Sequence, residues 1–150
     1  MRIAYFDCFA GISGDMILGA LLDAGLSFEL LKENLSQLAV QGYTITAQQV
    51  TKSGFAAIKV NVAVTEKQPY RHLADIVDII ERSQISASAK SKVVQVFDRL
   101  AEVEAKVHCT TKAKIHFHEV GAVDAIVDVV GAIVGLELLG VEKVFASRIS

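Results

Sequence analysis

Two histidines, a glutamate and two aspartates crowd the run Ile115-His-Phe-His-Glu-Val-Gly-Ala-Val-Asp-Ala-Ile-Val-Asp128. If residues 114–118 are extended, alternate side chains share a face. Ile115 and Phe117 then turn toward an apolar core, and His116 and His118 project together from the other side. Imidazoles at this spacing can converge on one borderline metal ion, with Glu119 following at the bend. Asp124 and Asp128 stand one helical turn apart, so a helix places both on one face. The same residues also suit a polar strand end followed by a helix whose acidic start complements its dipole, with no ligand at all.

A second cluster opens the chain. Residues 2–6 alternate toward a short strand, and the loop Asp7-Cys-Phe-Ala-Gly-Ile-Ser-Gly-Asp15 leads into a helix. Gly11, Ser13 and Gly14 occupy the place where free backbone N–H groups bind phosphates. No Gly-Lys-Ser/Thr ending follows, so this is not a triphosphate-binding P-loop. Asp7 and Asp15 set two carboxylates beside the anion cradle, an arrangement that makes sense with a cation between them and a phosphate completing its shell. The local alternative is that Asp15 complements the helix dipole and Asp7 caps the turn. Cys8, in the same loop, is either a thiolate ligand or a small buried thiol. Both acidic clusters follow short strands and precede helices. If those strands are parallel neighbours, both loops open on one sheet edge.

Periodicity and capping signals give the elements that must hold these loops. A helix is expected over residues 14–24, with Ser13 as N-cap and Gly25 as its stop. Another runs to about residue 39, capped by Ser27 and stapled by Leu26 and Leu31. Residues 43–51 and 55–65 read as a hairpin around Lys52-Ser-Gly54, with Ile58, Val60, Val62 and Val64 on one face. After Pro69, helices over residues 71–82 and 87–106, the latter capped by Ser86, carry apolar stripes that belong to the core. An apolar helix starts at Ala122, where Gly131 and Gly135 would let a neighbouring backbone approach closely. A last strand around residues 144–147 looks buried, and the absence of a capping element after it suggests that the domain continues past Ser150. This order predicts an α/β (α+β) fold, a small mixed sheet with helices packed on it and containing a β-hairpin.

At 150 residues, 52% apolar and 21% charged, the chain can bury one core and is not disordered. A net charge of −2 without any Lys/Arg run gives no general attraction to nucleic acid or to an anionic membrane surface. Charges interrupt every apolar stretch, which argues against a membrane span, and Asp7 comes too early for a signal peptide. Two cysteines without a CxxC suit a reducing cytoplasm.

The segment Tyr5-Phe-Asp-Cys-Phe-Ala-Gly-Ile-Ser-Gly-Asp-Met-Ile-Leu-Gly-Ala-Leu-Leu-Asp-Ala-Gly25 resembles the opening of the nickel-insertion proteins that complete the nickel-pincer nucleotide cofactor. His116-Phe-His-Glu-Val-Gly-Ala-Val-Asp-Ala-Ile-Val-Asp-Val-Val-Gly131 is similar to that family's second signature, and Arg71-His72-Leu73 to a third, weaker one. Family members are longer, so the resemblance implies that residues 1–150 are an N-terminal portion whose C-terminal portion is absent. It implies a cytoplasmic chelatase of the lyase class that inserts nickel into pyridinium-bisthiocarboxylic acid mononucleotide, for lactate racemase-type enzymes. CTP, with Mg or Mn, would be bound by the C-terminal portion. Some members carry a histidine-rich tract that this chain lacks, which argues against nickel storage. On this reading Asp7, Asp15 and Glu119 are catalytic, and Gly11, Ser13 and Gly14 take the mononucleotide's phosphate. His116, His118, Asp124 and His72 hold nickel. The expected partners are the mononucleotide, the chain's own C-terminal portion and a second copy in a homo-oligomer. Two other functions suit the residues: a non-catalytic nickel-binding assembly or metallochaperone domain, and a metal-dependent phosphohydrolase using Asp7 and Asp15.

Overall fold

The computed structural model describes residues 1–117 and 122–149. Strand β1 (Arg2–Phe6) leads into helices α1 (Gly14–Asp23) and α2 (Phe28–Leu35), and a hairpin of β2 (Tyr43–Lys52) and β3 (Phe55–Val64) follows. Helices α3 (Leu73–Arg82) and α4 (Ala87–Val107), a 3-10 turn at Lys112–Lys114, helix α5 (Val123–Leu138) and strand β4 (Val141–Ala146) complete the order. The class is the expected α/β, hairpin included. Among the described residues the strands form two pairs, β1 parallel to β4 and β2 antiparallel to β3.

Local chemistry sets most boundaries. Ser27 Oγ accepts from the Leu30 N–H at 3.2 Å and Ser86 Oγ from the Ala89 N–H at 3.0 Å, each satisfying an orphan donor of its helix. The hairpin turns on Ser53 and Gly54, both at positive φ (52° and 81°), the backbone hand that matches strand twist. Helix α2 ends at Leu35 instead of near residue 39. There the chain tightens into short bonds, Gln37 N–H to Asn34 O and Leu38 N–H to Leu35 O.

Helices α1 and α5 form the centre. Gly14 abuts Asp128, Gly131 abuts Leu18, and Gly135 abuts Leu21, an order that makes the two helices parallel. A Cβ on Gly131 would lie 2.8 Å from Leu18 Cδ2, and one on Gly135 2.8 Å from Leu21 Cδ1. These glycines therefore receive leucine side chains, where the sequence suggested a neighbouring backbone. Leu18, Ile126, Val127 and Val130 are fully buried here, each worth about 2 kcal/mol of hydrophobic burial. On its other side α1 covers the outer edge of β3, since a Cβ on Gly19 would collide with the Ile58 carbonyl oxygen. That contact shields an edge that would otherwise present bare backbone groups.

Two expectations need correction. Strand β4 is not buried: Val144 is 52% and Phe145 51% exposed, because only β1 flanks it and no layer covers its outer face among the described residues. Residues 114–117 do not form a ladder either, and His118 lies outside the described residues. Lys114 closes the 3-10 turn, and a single antiparallel bridge joins Phe117 to Arg71. The expected alternation survives locally. Ile115 and Phe117 are buried and His116 is exposed, with Phe117 stacking edge-on against the fully buried Phe97 at 6.3 Å. No helix among the described residues is long and apolar enough to cross a membrane.

Candidate functional site

The loop after β1 lies at the carboxyl end of a parallel strand pair, the edge where α/β proteins gather ligands. Its closure is built from backbone: the Gly11 N–H bonds Cys8 O at 3.2 Å, with Gly11 at φ +85°, which a side chain would disfavour. Ser147, just past β4, ties the loop down by donating its N–H to Phe6 O and accepting from the Cys8 N–H at 2.7 Å. Asp7 lines a cleft of about 230 Å³ with Cys8, Gly11, Ile12 and Met16. Cys8 itself is 2% exposed and its thiol faces the Phe6 carbonyl at 3.6 Å, the setting of a small buried thiol.

Asp15 and Asp124 stand in the first turns of α1 and α5, and the charges of both act on Asp128. Asp15, in the first turn of α1, accepts from the Met16 N–H at 2.9 Å and from the Ser13 hydroxyl. Ser13 thus occupies the N-cap position while spending its hydroxyl on Asp15 and not on a helix N–H. Asp124, in the first turn of α5, accepts from the Ala125 N–H at 3.0 Å. Asp128 follows one turn later, pressed against Gly14 so closely that a Cβ there would lie 2.5 Å from its own Cβ. Its Oδ1 is buried without a hydrogen-bond partner among the described residues. Burial, then the charges of Asp15 and Asp124, push its carboxyl up to about 6.

The histidines are organised differently. The bridge in which the Phe117 N–H donates to Arg71 O at 3.0 Å carries the residues beside it, His116 and His72, into contact. Their ring centroids are 4.0 Å apart at a 50° tilt, and Tyr70 meets His116 edge-on at 6.3 Å. Asp75 accepts from the His72 N–H at 2.8 Å and lies 3.5 Å from its Nδ1, so a carboxylate at the start of α3 steadies this imidazole. Arg71 is buried beneath, bonded to Gln68 at 3.0 Å. Burial draws its guanidinium below its ordinary range, and the charge of Asp75 opposes that shift.

The described structure thus pairs His116 with His72 and groups Asp124 with Asp15 and Asp128. His118 and Glu119 lie outside the described residues. Among the described residues, no three His, Cys, Asp or Glu side chains converge as a metal-binding group. Asp128 was legible only as the partner of Asp124 on an otherwise apolar helix face. Its place against Gly14 is tertiary. A groove of about 1010 Å³ is elsewhere, lined by Lys92, Arg99, Glu137 and Val141 near the C-terminal end of α5. A second, of about 700 Å³, lies between α1 and the hairpin and includes Asp15.

Comparison with known proteins agrees with the signatures. Residues 4–150 match the family model of the nickel insertion protein. The chain is 52% identical over 149 residues to the pyridinium-3,5-bisthiocarboxylic acid mononucleotide nickel insertion protein of Desulfitobacterium hafniense (strain DSM 10664 / DCB-2), covering 99% of this chain and 37% of that protein. It is also 52% identical over 146 residues to a Roseiflexus castenholzii protein whose name assigns it provisionally to nickel insertion, covering 97% of this chain and 37% of the relative. The chain therefore spans about 37% of the length of these curated relatives. No solved structure matches it. With the match running across almost its whole length, the chain belongs to the nickel insertion protein family.

Proposed function

We propose that this chain is the N-terminal portion of a cytoplasmic nickel chelatase of the lyase class, which holds nickel and the mononucleotide while the metal is inserted. The observation that carries this reading is the contact of His72 with His116, rings 4.0 Å apart although the residues are far apart in the sequence. Imidazole is a natural ligand of nickel(II). Two histidines, with His118 as a further ligand, would hold the ion firmly enough to collect it and loosely enough to release it to the substrate's sulfur atoms. Glu119 would act beside them. At the other cluster, Gly11, Ser13 and Gly14 would take the mononucleotide's phosphate through a cation held by Asp15 and Asp124, with Asp7 at the mouth of the loop.

CTP, with Mg or Mn, belongs in this reading to the remaining portion of the protein. The residues here do not suit a triphosphate, since three carboxylates face the helix N-termini and the 7–15 loop contains no lysine or arginine. The product would be the nickel-pincer cofactor of lactate racemase-type enzymes. A second copy of the chain completes the expected partners.

Insertion requires metal and both sulfurs held together in a reactive arrangement, so residues 1–150 alone are expected to bind nickel without turning over. A single-turnover assay with nickel, CTP and the nickel-free mononucleotide tests this directly. Nickel-loaded product should form with the intact longer protein and not with residues 1–150. Product from the short chain at a comparable rate would mean that the remaining portion is not needed. Nickel binding with no insertion by the longer protein would favour the metallochaperone reading.

A further inference from the structure

Helix α1 and the hairpin enclose a groove whose charges do not neutralise one another. The face of α1 toward it presents Asp15, Met16, Gly19 and Asp23 over about 12 Å of helix. The opposite wall carries Lys52 and Lys59, which the hairpin register places on one strand face, since Lys59 is opposite Gln48 and residues 48, 50 and 52 alternate onto the same side. None of the ion pairs among the described residues involves Asp15, Asp23, Lys52 or Lys59. The groove is about 700 Å³, within the range of small-molecule sites, and it is mostly apolar between the charges. Its walls are fixed, because the Ile58 carbonyl rests on Gly19 with no room for a side chain between them.

The ligand that complements such a groove carries both signs on one flat apolar body. A pyridinium ring bearing two thiocarboxylates is that ligand: cationic at the ring nitrogen, anionic at its substituents, apolar on its faces. We propose that this groove seats the ring-bearing end of the mononucleotide, with Lys52 and Lys59 facing the thiocarboxylates and Asp15 and Asp23 facing the ring's positive charge. The 54%-exposed Met16 offers a polarizable thioether to the ring. Asp15 lies both in this groove and in the carboxylate group at the helix starts, so the ring and the phosphate of one molecule fall on either side of it. This assignment rests on the mononucleotide-binding role proposed above, and it adds where the ring lies and what recognises it.

The test is calorimetric binding to the intact longer protein, using the nickel-free bisthiocarboxylic mononucleotide and, as a probe without anionic ring substituents, nicotinamide mononucleotide. The Lys52→Gln/Lys59→Gln variant should bind the bisthiocarboxylic compound about tenfold more weakly. Its nickel affinity, melting temperature and affinity for nicotinamide mononucleotide should be unchanged, and Lys52→Arg/Lys59→Arg should restore binding. Affinity within about twofold of the parent would overturn the groove assignment while leaving the proposed function standing. Equal losses for both mononucleotides would also overturn it, by showing that the lysines meet the phosphate and not the ring. A parent protein that binds neither compound would remove the functional reading and the groove together.

Discussion

The carboxylate group and the histidine pair are built in opposite ways. Asp15 and Asp128 belong to parallel helices held together by glycine contacts, and Gly14 leaves no space between them. They cannot separate without opening the core, so their repulsion persists in the folded state and Asp128 is held partly protonated near neutrality. His72 and His116 sit beside one backbone bridge, His116 exposed and His72 half-buried with its Nδ1 3.5 Å from Asp75. On the proposed function, the rigid negative group would keep a cation while the histidine pair would pass nickel on. The difference teaches that, if the proposed function holds, collecting nickel and anchoring the substrate need not share ligands.

The strongest way to break this contrast is to wedge the helices apart. Gly14→Ala places a methyl against Asp128 and should cost about 2 kcal/mol in denaturant unfolding, the usual scale of overpacking. Nickel affinity should be unaffected. A neutral outcome would mean that the helix starts are not locked. A smaller effect comes from charge. The Asp128 carboxyl, raised from 3.8 to about 6, binds its proton more tightly folded than unfolded, so its contribution is complete below pH 4 and lost as pH rises through 6. Asp128→Asn should therefore stabilise the protein relative to the parent above pH 6, by about 1 kcal/mol after allowance for partial exposure, with the gain fading toward pH 4. Thermal melts at both ends of that window check the sign, and a gain larger in acid would contradict it.

Much of the scaffold was legible because its signals are local. Ser27 and Ser86 cap helices through their own side chains, and the Ser53-Gly54 turn declares its backbone hand. Strand β4 was read as buried because its residues are apolar, but apolarity reports what a strand can cover and not whether anything covers it. The contact of His116 with His72 is not legible in residue spacing, although the resemblance implies both as nickel ligands. It depends on the bridge between Arg71 and Phe117, a tertiary event, whereas the i, i+2 spacing pointed only to His118. The Asp128 contact with Gly14 is hidden for the same reason, since nothing local fixes the register of α1 on α5.

The smallest expected effect is His72→Ala on stability. The bond that steadies the start of α3 runs from the His72 backbone N–H to Asp75, which alanine retains, so the change should be about 0.5 kcal/mol or less. A larger loss in denaturant unfolding would make the imidazole structural and weaken its claim as a ligand. With folding preserved, nickel titration of the protein at neutral pH, followed by calorimetry, becomes decisive. If the imidazoles hold the metal, His72→Ala/His116→Ala should weaken nickel binding by more than about a hundredfold, and Asp15→Asn/Asp124→Asn should leave it nearly unchanged. Nickel affinity retained in the histidine variant and lost in the aspartate variant would place the metal between the helices and contradict the division of labour drawn here.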